Sequence, residues 1–255
     1  MRWNLFGSNW DWQVFCRSNL DNTVYPSCFG KGGDITYLQW LMSAWGWTLS
    51  VALMAMVLAF VVGTLVGMAR TAPNRGLRLF GEAWAELFRN VPLLVQLFLW
   101  YFVAPRLIPA LTSVPSFVLV VCALGFFTSA RIAEQVKAGI KALPTGQRYA
   151  GLAMGLTLPQ TYRHVLMPVA LRIVIPPLTS ESMNIIKNSS VAFAVSISEL
   201  TMYALQAQEE TSRGVEVYLA VTGLYFVSAF VVNRLFVFVE HMVKVPGVAG
   251  MGVSR

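Results

Sequence analysis

Glu181, Asn184, Lys187, Asn188 and Ser189, with Ser190 beside them, bring charge and hydrogen-bonding capacity to an otherwise apolar part of the chain. Asn184 and Asn188 are four residues apart and Lys187 is three from Asn184. On a helix, one face would therefore present an ammonium and two amides, groups suited to holding a small zwitterion. Polar clusters within membrane segments tend to line pathways rather than face lipid. The same residues would also serve to hydrogen-bond neighbouring helices, or would sit in an outer loop. Enzyme signatures are thin. There is no G-x-x-x-x-G-K-[ST] phosphate loop and no G-x-S-x-G elbow. The two histidines, His164 and His241, have no second His or Cys at metal-ligand spacing. The chain thus reads as one that does not hydrolyse ATP by itself and holds no metal and no cofactor of its own.

The elements that must position this cluster are membrane spans. With 56% hydrophobic residues, 12% charged residues and a mean hydropathy of +0.60, the composition is that of an all-α polytopic membrane protein. About 20 apolar residues are needed to cross a bilayer. Five stretches qualify: Ser43 to Met68, Val91 to Ile108, Pro115 to Ile132, Val165 to Ile185 and Val217 to Val239. The first is uncharged from Thr48 to Ala69. The fourth carries Pro168, Arg172, Pro176, Pro177 and Glu181 and is expected to be broken or partly buried.

Lys and Arg in short loops mark the cytoplasmic side. Arg70, Arg75, Arg78 and Arg89 flank the first connection, and Lys137, Lys141, Arg148 and Arg163 fill the central loop, whereas the connection near residues 109–115 has only Arg106 beside it. Five spans then place the N-terminus outside and the C-terminus, with His241 and Lys244, in the cytoplasm. Basic loops of this kind account for the net charge of +7. No aromatic-interleaved basic patch accompanies the charge, and no nucleic-acid partner is expected.

Three regions are predicted: an outer or interfacial N-terminal extension (1–40), a transmembrane domain (41–246) and a cytoplasmic tail (247–255). The extension is rich in aromatic residues, Asn and Gly, and Trp3, Trp10, Trp12 and Phe15 are placed to rest at lipid headgroups. Cys16 and Cys28 lie close enough in sequence to close a loop by a disulfide in an oxidising compartment, with two free thiols as the alternative. Cys122 falls within a span and reads as a small core residue. Residues 199–216 read as the outer connection before the last span, either a surface that meets a partner or simply an acidic, solvated loop. Glu82, Glu86 and Arg89 stand at helical spacings that suggest structural pairs along one helix.

The central loop carries the strongest clue to function. Leu143-Pro144-Thr145-Gly146 should end the helix that continues the third span, and a second helix should start near Gln147. Ala150, Gly151, Ala153 and Gly155 would let another backbone approach closely, and Thr157 with Pro159 would turn the chain into the next helix. The result is a compact knob able to fit a cleft; a solvated connector with chance small residues is the alternative on spacing alone.

Tyr149-Ala150-Gly151, three residues, Gly155, nine residues and then Val165-Leu166-Met167-Pro168 resemble the EAA loop of ABC-importer permeases, whose pattern is Glu-Ala-Ala, Gly and Ile-x-Leu-Pro at that spacing. TAPNR (71–75), ELFRNVPLLVQ (86–96), GLAMGLTLPQ (151–160) and MNIIKNSS (183–190) look like the polar amino-acid branch, and the first three are similar to its glutamate/aspartate permeases. The likeness covers residues 40–246. It implies a type I importer permease with a cytoplasmic coupling helix, seated in the bacterial inner membrane as a multi-pass subunit with a periplasmic N-terminus. The partners implied are membrane lipid, a second permease subunit, cytoplasmic ATP-binding subunits that hold ATP and Mg, and a periplasmic solute-binding protein. The ATPase-coupling loop would comprise Tyr149, Ala150, Gly151, Gly155, Leu156, Thr157, Val165 and Pro168, and Lys187 would suit a substrate carboxylate. Tyr149 and Gly151 depart from the family's Glu and second Ala, which removes any salt bridge that Glu would make to an ATPase. Permeases for glutamine, histidine or arginine, and a structural subunit of another membrane complex, are the alternatives. A secondary carrier is disfavoured, since five spans give no inverted repeat.

Overall fold

The computed structural model describes residues 10–243. Residues 1–9, which include Trp3, and residues 244–255, which include Lys244 and the predicted tail, lie outside the described residues. Among the described residues, eight helices carry the fold: α1 (Tyr37–Ala69), α2 (Arg75–Asn90), α3 (Leu93–Leu107), α4 (Ser116–Lys141), α5 (Thr145–Ala153), α6 (Leu158–Val195), α7 (Leu200–Thr211) and α8 (Gly214–Val243). Among the described residues, extended backbone pairs only as two isolated bridges, Arg17 with Val24 and Ser18 with Thr36.

Helices α1, α4, α6 and α8 are long and apolar enough to cross a membrane. The expected second span is less simple. Pro92 interrupts the α2-to-α3 register, because it has no N–H to donate and excludes helical backbone at Val91. The two helices meet at 105°, and together they make the fifth candidate span. The fourth span does bend its hydrogen-bonding pattern, but not at its paired prolines: a π turn at Tyr162–Leu166 and a 3-10 turn at Ser189–Val195 bracket a continuous helix through Pro176 and Pro177.

The chain divides into two units, one of residues 10–50 and 190–228 and one of residues 51–189 and 229–243 among those described. In the first, the extension folds onto the helices. Val14, Phe15, Tyr37, Leu41, Leu200, Tyr203 and Val217 share one buried cluster. Phe15 therefore belongs to the core rather than to an exposed anchor, while Trp10 and Trp12 remain exposed and stacked at 5.9 Å. Cys16 and Cys28 are disulfide-bonded, with Cα atoms 4.0 Å apart. The solvated acidic loop expected at 199–216 is instead helix α7, because Leu200, Tyr203, Ala204 and Ala207 give it a buried apolar stripe. Its first turn is capped by the buried Glu199, whose carboxylate accepts from the Thr201 and Met202 amides and the Tyr225 hydroxyl at 2.8–3.0 Å. Burial pushes the Glu199 carboxyl above its ordinary range, against these hydrogen bonds.

In the second unit, α4 is the central helix and packs along α2 and α6. Gly63 and Gly67 of α1 meet it: a Cβ on either would lie under 3.0 Å from the side chain of Ile132 or Val136. Small residues four apart let apolar helices approach where lipid offers no hydrophobic drive between them. Beside this contact, Arg70 follows α1 at only 4% exposure. It donates to Glu82 (2.7 Å) and Glu134 (2.8 Å), while Lys137 donates to Glu82 (2.6 Å) and Arg89 to Glu134 (3.0 Å). The expected pairing of Glu82, Glu86 and Arg89 along one helix gives way to pairs between elements. A buried guanidinium needs carboxylates more than exposed neighbours do.

Candidate functional site: the hairpin of residues 145–168 and the polar face of α6

Helix α5 ends in a turn whose geometry is set by Gly155. The Leu156 amide donates to the Gly151 carbonyl (3.2 Å) and the Gly155 amide to that of Leu152 (3.0 Å), the paired bonds of a Schellman cap. Gly155 sits at φ +83° with nothing within 4 Å of where a Cβ would be. Within this chain Gly155 makes no close approach; it supplies left-handed backbone. Close approach belongs to Gly151, where a Cβ would lie 2.8 Å from Thr161 Cγ2.

Thr157 caps α6, its amide donating to Gln160 Oε1 at 2.8 Å. The returning strand of the hairpin is anchored: the Tyr162 hydroxyl donates to the Thr71 carbonyl at 2.9 Å, and Leu166 and Met167 join Ile132, Val136, Ile140 and Ala170 in a buried cluster. Val165 is half-buried and Pro168 exposed at the base, with Leu156 half-buried and Ala150 and Thr157 exposed. At the tip, Tyr149 is 68% exposed and Met154 82%, with Leu152 exposed between them. Where the EAA pattern has an acid, this chain presents an apolar edge on a short helix fixed at both ends. Leu152 and Met154 were not among the expected loop residues; apolar side chains on a loop expected to be solvated were the available signal.

On α6, Glu181 is 9% exposed and faces α4. Its Oε1 accepts from Gln135 Nε2 at 3.4 Å, and its Oε2 lies 3.8 Å from Arg131 Nη1. Helical spacing sets Glu181, Asn184 and Asn188 along one stripe, with Lys187 offset to an exposed position about 120° from Glu181. Ser189 is buried, and its hydroxyl is used on the Ile186 carbonyl (2.7 Å). The structure therefore groups Glu181 with two residues of α4 absent from the sequence-derived set. Arg131 was legible: a cation inside the span predicted from Pro115 to Ile132 is itself a signal. Gln135 was not.

Comparisons with known proteins bear on what this arrangement does. The family model of the binding-protein-dependent transport system inner membrane component matches residues 59–245. Over 252 residues, 95% of this chain and 98% of the relative, the chain is 38% identical to the glutamate/aspartate import permease protein GltJ of Escherichia coli (strain K12). It is 35% identical over 71% of its length to the probable glutamine ABC transporter permease protein GlnM of Bacillus subtilis (strain 168), covering 82% of that protein. A chain from the crystal structure of an amino acid ABC transporter with histidines superposes at a TM-score of 0.70 and 28% identity, over 81% of this chain and 95% of that one. A chain of the inward-facing MetNI methionine ABC transporter, 23% identical, shares the fold at a TM-score of 0.70, over 82% of this chain and 98% of that one.

Proposed function

Because the chain belongs to the family of binding-protein-dependent transport system inner membrane components and is a permease subunit of an amino-acid ABC importer, we propose that it carries glutamate or aspartate across the inner membrane. Near-full-length identity to a glutamate/aspartate permease is the observation that supports this reading. A second reading, a glutamine permease, is favoured by the likeness to a probable glutamine permease over a shorter stretch.

The chain supplies no nucleotide-hydrolysing motif, so in this proposal ATP and Mg are held by cytoplasmic ATP-binding subunits. A second permease subunit completes the pore, and a periplasmic binding protein delivers the solute. The N-terminus lies in the periplasm and the C-terminus in the cytoplasm. The hairpin from Tyr149 to Pro168 seats its apolar tip, Tyr149, Leu152 and Met154, in a cleft of an ATPase subunit. Closure of the ATPase pair pushes on that tip. The anchoring of Tyr162 and Leu166 supports treating the hairpin as a lever that moves α6 rather than a strap that flexes. Glu181, Asn184, Lys187, Asn188 and Ser189 then stand along the moving helix as the solute pathway.

The test is uptake of labelled glutamate and aspartate by the complete transporter reconstituted with its binding protein, with glutamine, histidine and arginine as competitors. Saturable, ATP-dependent uptake of the acidic amino acids supports the proposal. Uptake of glutamine with exclusion of glutamate would replace it with the second reading.

A further inference from the structure

A cavity of about 420 Å³ lies in the second unit beside the start of α5. Its charged lining is Arg70, Arg78, Lys137, Lys141, Arg148 and a single carboxylate, Glu82. The ion pairs of this region join Arg70, Lys137 and Arg89 to Glu82 and Glu134, and among the described residues they leave out Arg78, Lys141 and Arg148. Two donors are also stranded. Arg70 is 4% exposed, yet its Nη1 is buried without a hydrogen-bond partner, and so is Nε of Arg148. A buried donor left unmet is costly, and more so when charged. The excess positive charge adds self-repulsion that an anion in the cavity would remove.

We propose that this cavity binds a phosphate group, either the headgroup phosphate of an anionic phospholipid or a free phosphate anion. A free phosphate has more oxygens and more charge than a carboxylate, and a lipid phosphodiester, though singly charged, presents tetrahedrally arranged oxygens that can accept from more than one direction, which suits a cavity lined by Arg70, Arg148 and Lys141. Basic pockets at the cytoplasmic ends of membrane helices suit lipid headgroups in this way. The walls come from Arg70 and Thr71 just after α1, from Arg78 and Glu82 of α2, from Lys137 and Lys141 of α4, from Arg148 of α5 and from Tyr162 of α6. A bound phosphate therefore ties the hairpin to α2 and α4. The binding claim rests on this geometry; only its placement on the cytoplasmic side depends on the orientation proposed above.

The test uses the complete transporter, as wild type, as the double variant Arg78→Gln/Lys141→Gln, and as Arg75→Gln, which removes an exposed charge outside the cavity. Both cavity substitutions are at exposed positions outside the hairpin. Inorganic phosphate is titrated against the delipidated complex in neutral detergent. Separately, phosphatidylglycerol retention is measured by native mass spectrometry after release from phosphatidylcholine nanodiscs with and without that lipid. At least one probe should bind wild type and Arg75→Gln alike and bind the double variant at least tenfold more weakly. The difference between variants separates this site from phosphate bound by ATPase subunits. Binding of inorganic phosphate alone identifies a free anion as the source, and retention of phosphatidylglycerol alone identifies a lipid. Equal behaviour of wild type and double variant with both probes overturns the proposal. So does crosslinking that fills the cavity with an acidic side chain of the ATPase subunit. Glutamate uptake is a separate readout, so loss of this site leaves the transport proposal standing.

Discussion

Gly151 faces Thr161 across the hairpin so closely that a methyl group at 151 would lie 2.8 Å from Thr161 Cγ2 and 3.2 Å from its Oγ1. The EAA pattern carries alanine at this position, and here the threonine methyl occupies the space that alanine would take. Gly151→Ala should destabilise the hairpin by about 1–3 kcal/mol, the usual cost of forcing an extra methyl into a packed contact. Thr161→Ser, which deletes Cγ2, should restore most of that loss. Thermal unfolding of the four members of the cycle checks it, and additive single-variant effects would show that the two residues do not compete for space.

Gly155 makes a different demand. At φ +83° any β-carbon is strained, by about 1–2 kcal/mol, even though the space around it is open. Gly155→Leu should therefore insert into the membrane normally but loosen the end of α5, so that ATP hydrolysis by the complex continues while uptake per ATP falls. Gly155→Asn, which tolerates left-handed backbone better, should lie between the two. Wild-type coupling in the leucine variant would count against a rigid hairpin.

Glu82 is held by two cations from other elements, Arg70 at 2.7 Å and Lys137 of α4 at 2.6 Å. Glu82→Gln leaves the buried Arg70 guanidinium with Glu134 as its carboxylate partner, and should destabilise the protein at neutral pH by about 1–3 kcal/mol. Melting curves of both proteins in one detergent decide the matter, and equal melting temperatures would show that these contacts contribute nothing.

Glu181 and Arg131, 3.8 Å apart between α6 and α4, should be energetically coupled. Arg131→Ala leaves the Glu181 carboxylate with Gln135 alone, so it should cost more in the wild-type background than with Glu181→Gln, by about 0.5–3 kcal/mol. A coupling near zero would mark the pair as incidental.

The disulfide gives a chemical test of sidedness. With Cys16 and Cys28 bonded, maleimide labelling of the denatured, unreduced protein should modify Cys122 alone, and prior reduction should expose all three thiols. Because such bonds persist in oxidising compartments, two additional labels without reduction would argue against a periplasmic N-terminal segment.

Uncharged runs such as Thr48 to Ala69 determined the membrane class, since burying apolar side chains in lipid depends on composition and length alone. The hairpin was equally legible, because Leu143-Pro144 and Gly155 act on local backbone. Only the tertiary structure decided what each residue meets. Glu82 could not be assigned to Arg70 and Lys137 rather than to Arg89 from spacing, nor Glu181 to Gln135, because those partners lie on other helices. Likewise, two small residues of one motif, Gly151 and Gly155, look interchangeable in sequence. Packing against Thr161 gives one its role, and backbone handedness gives the other.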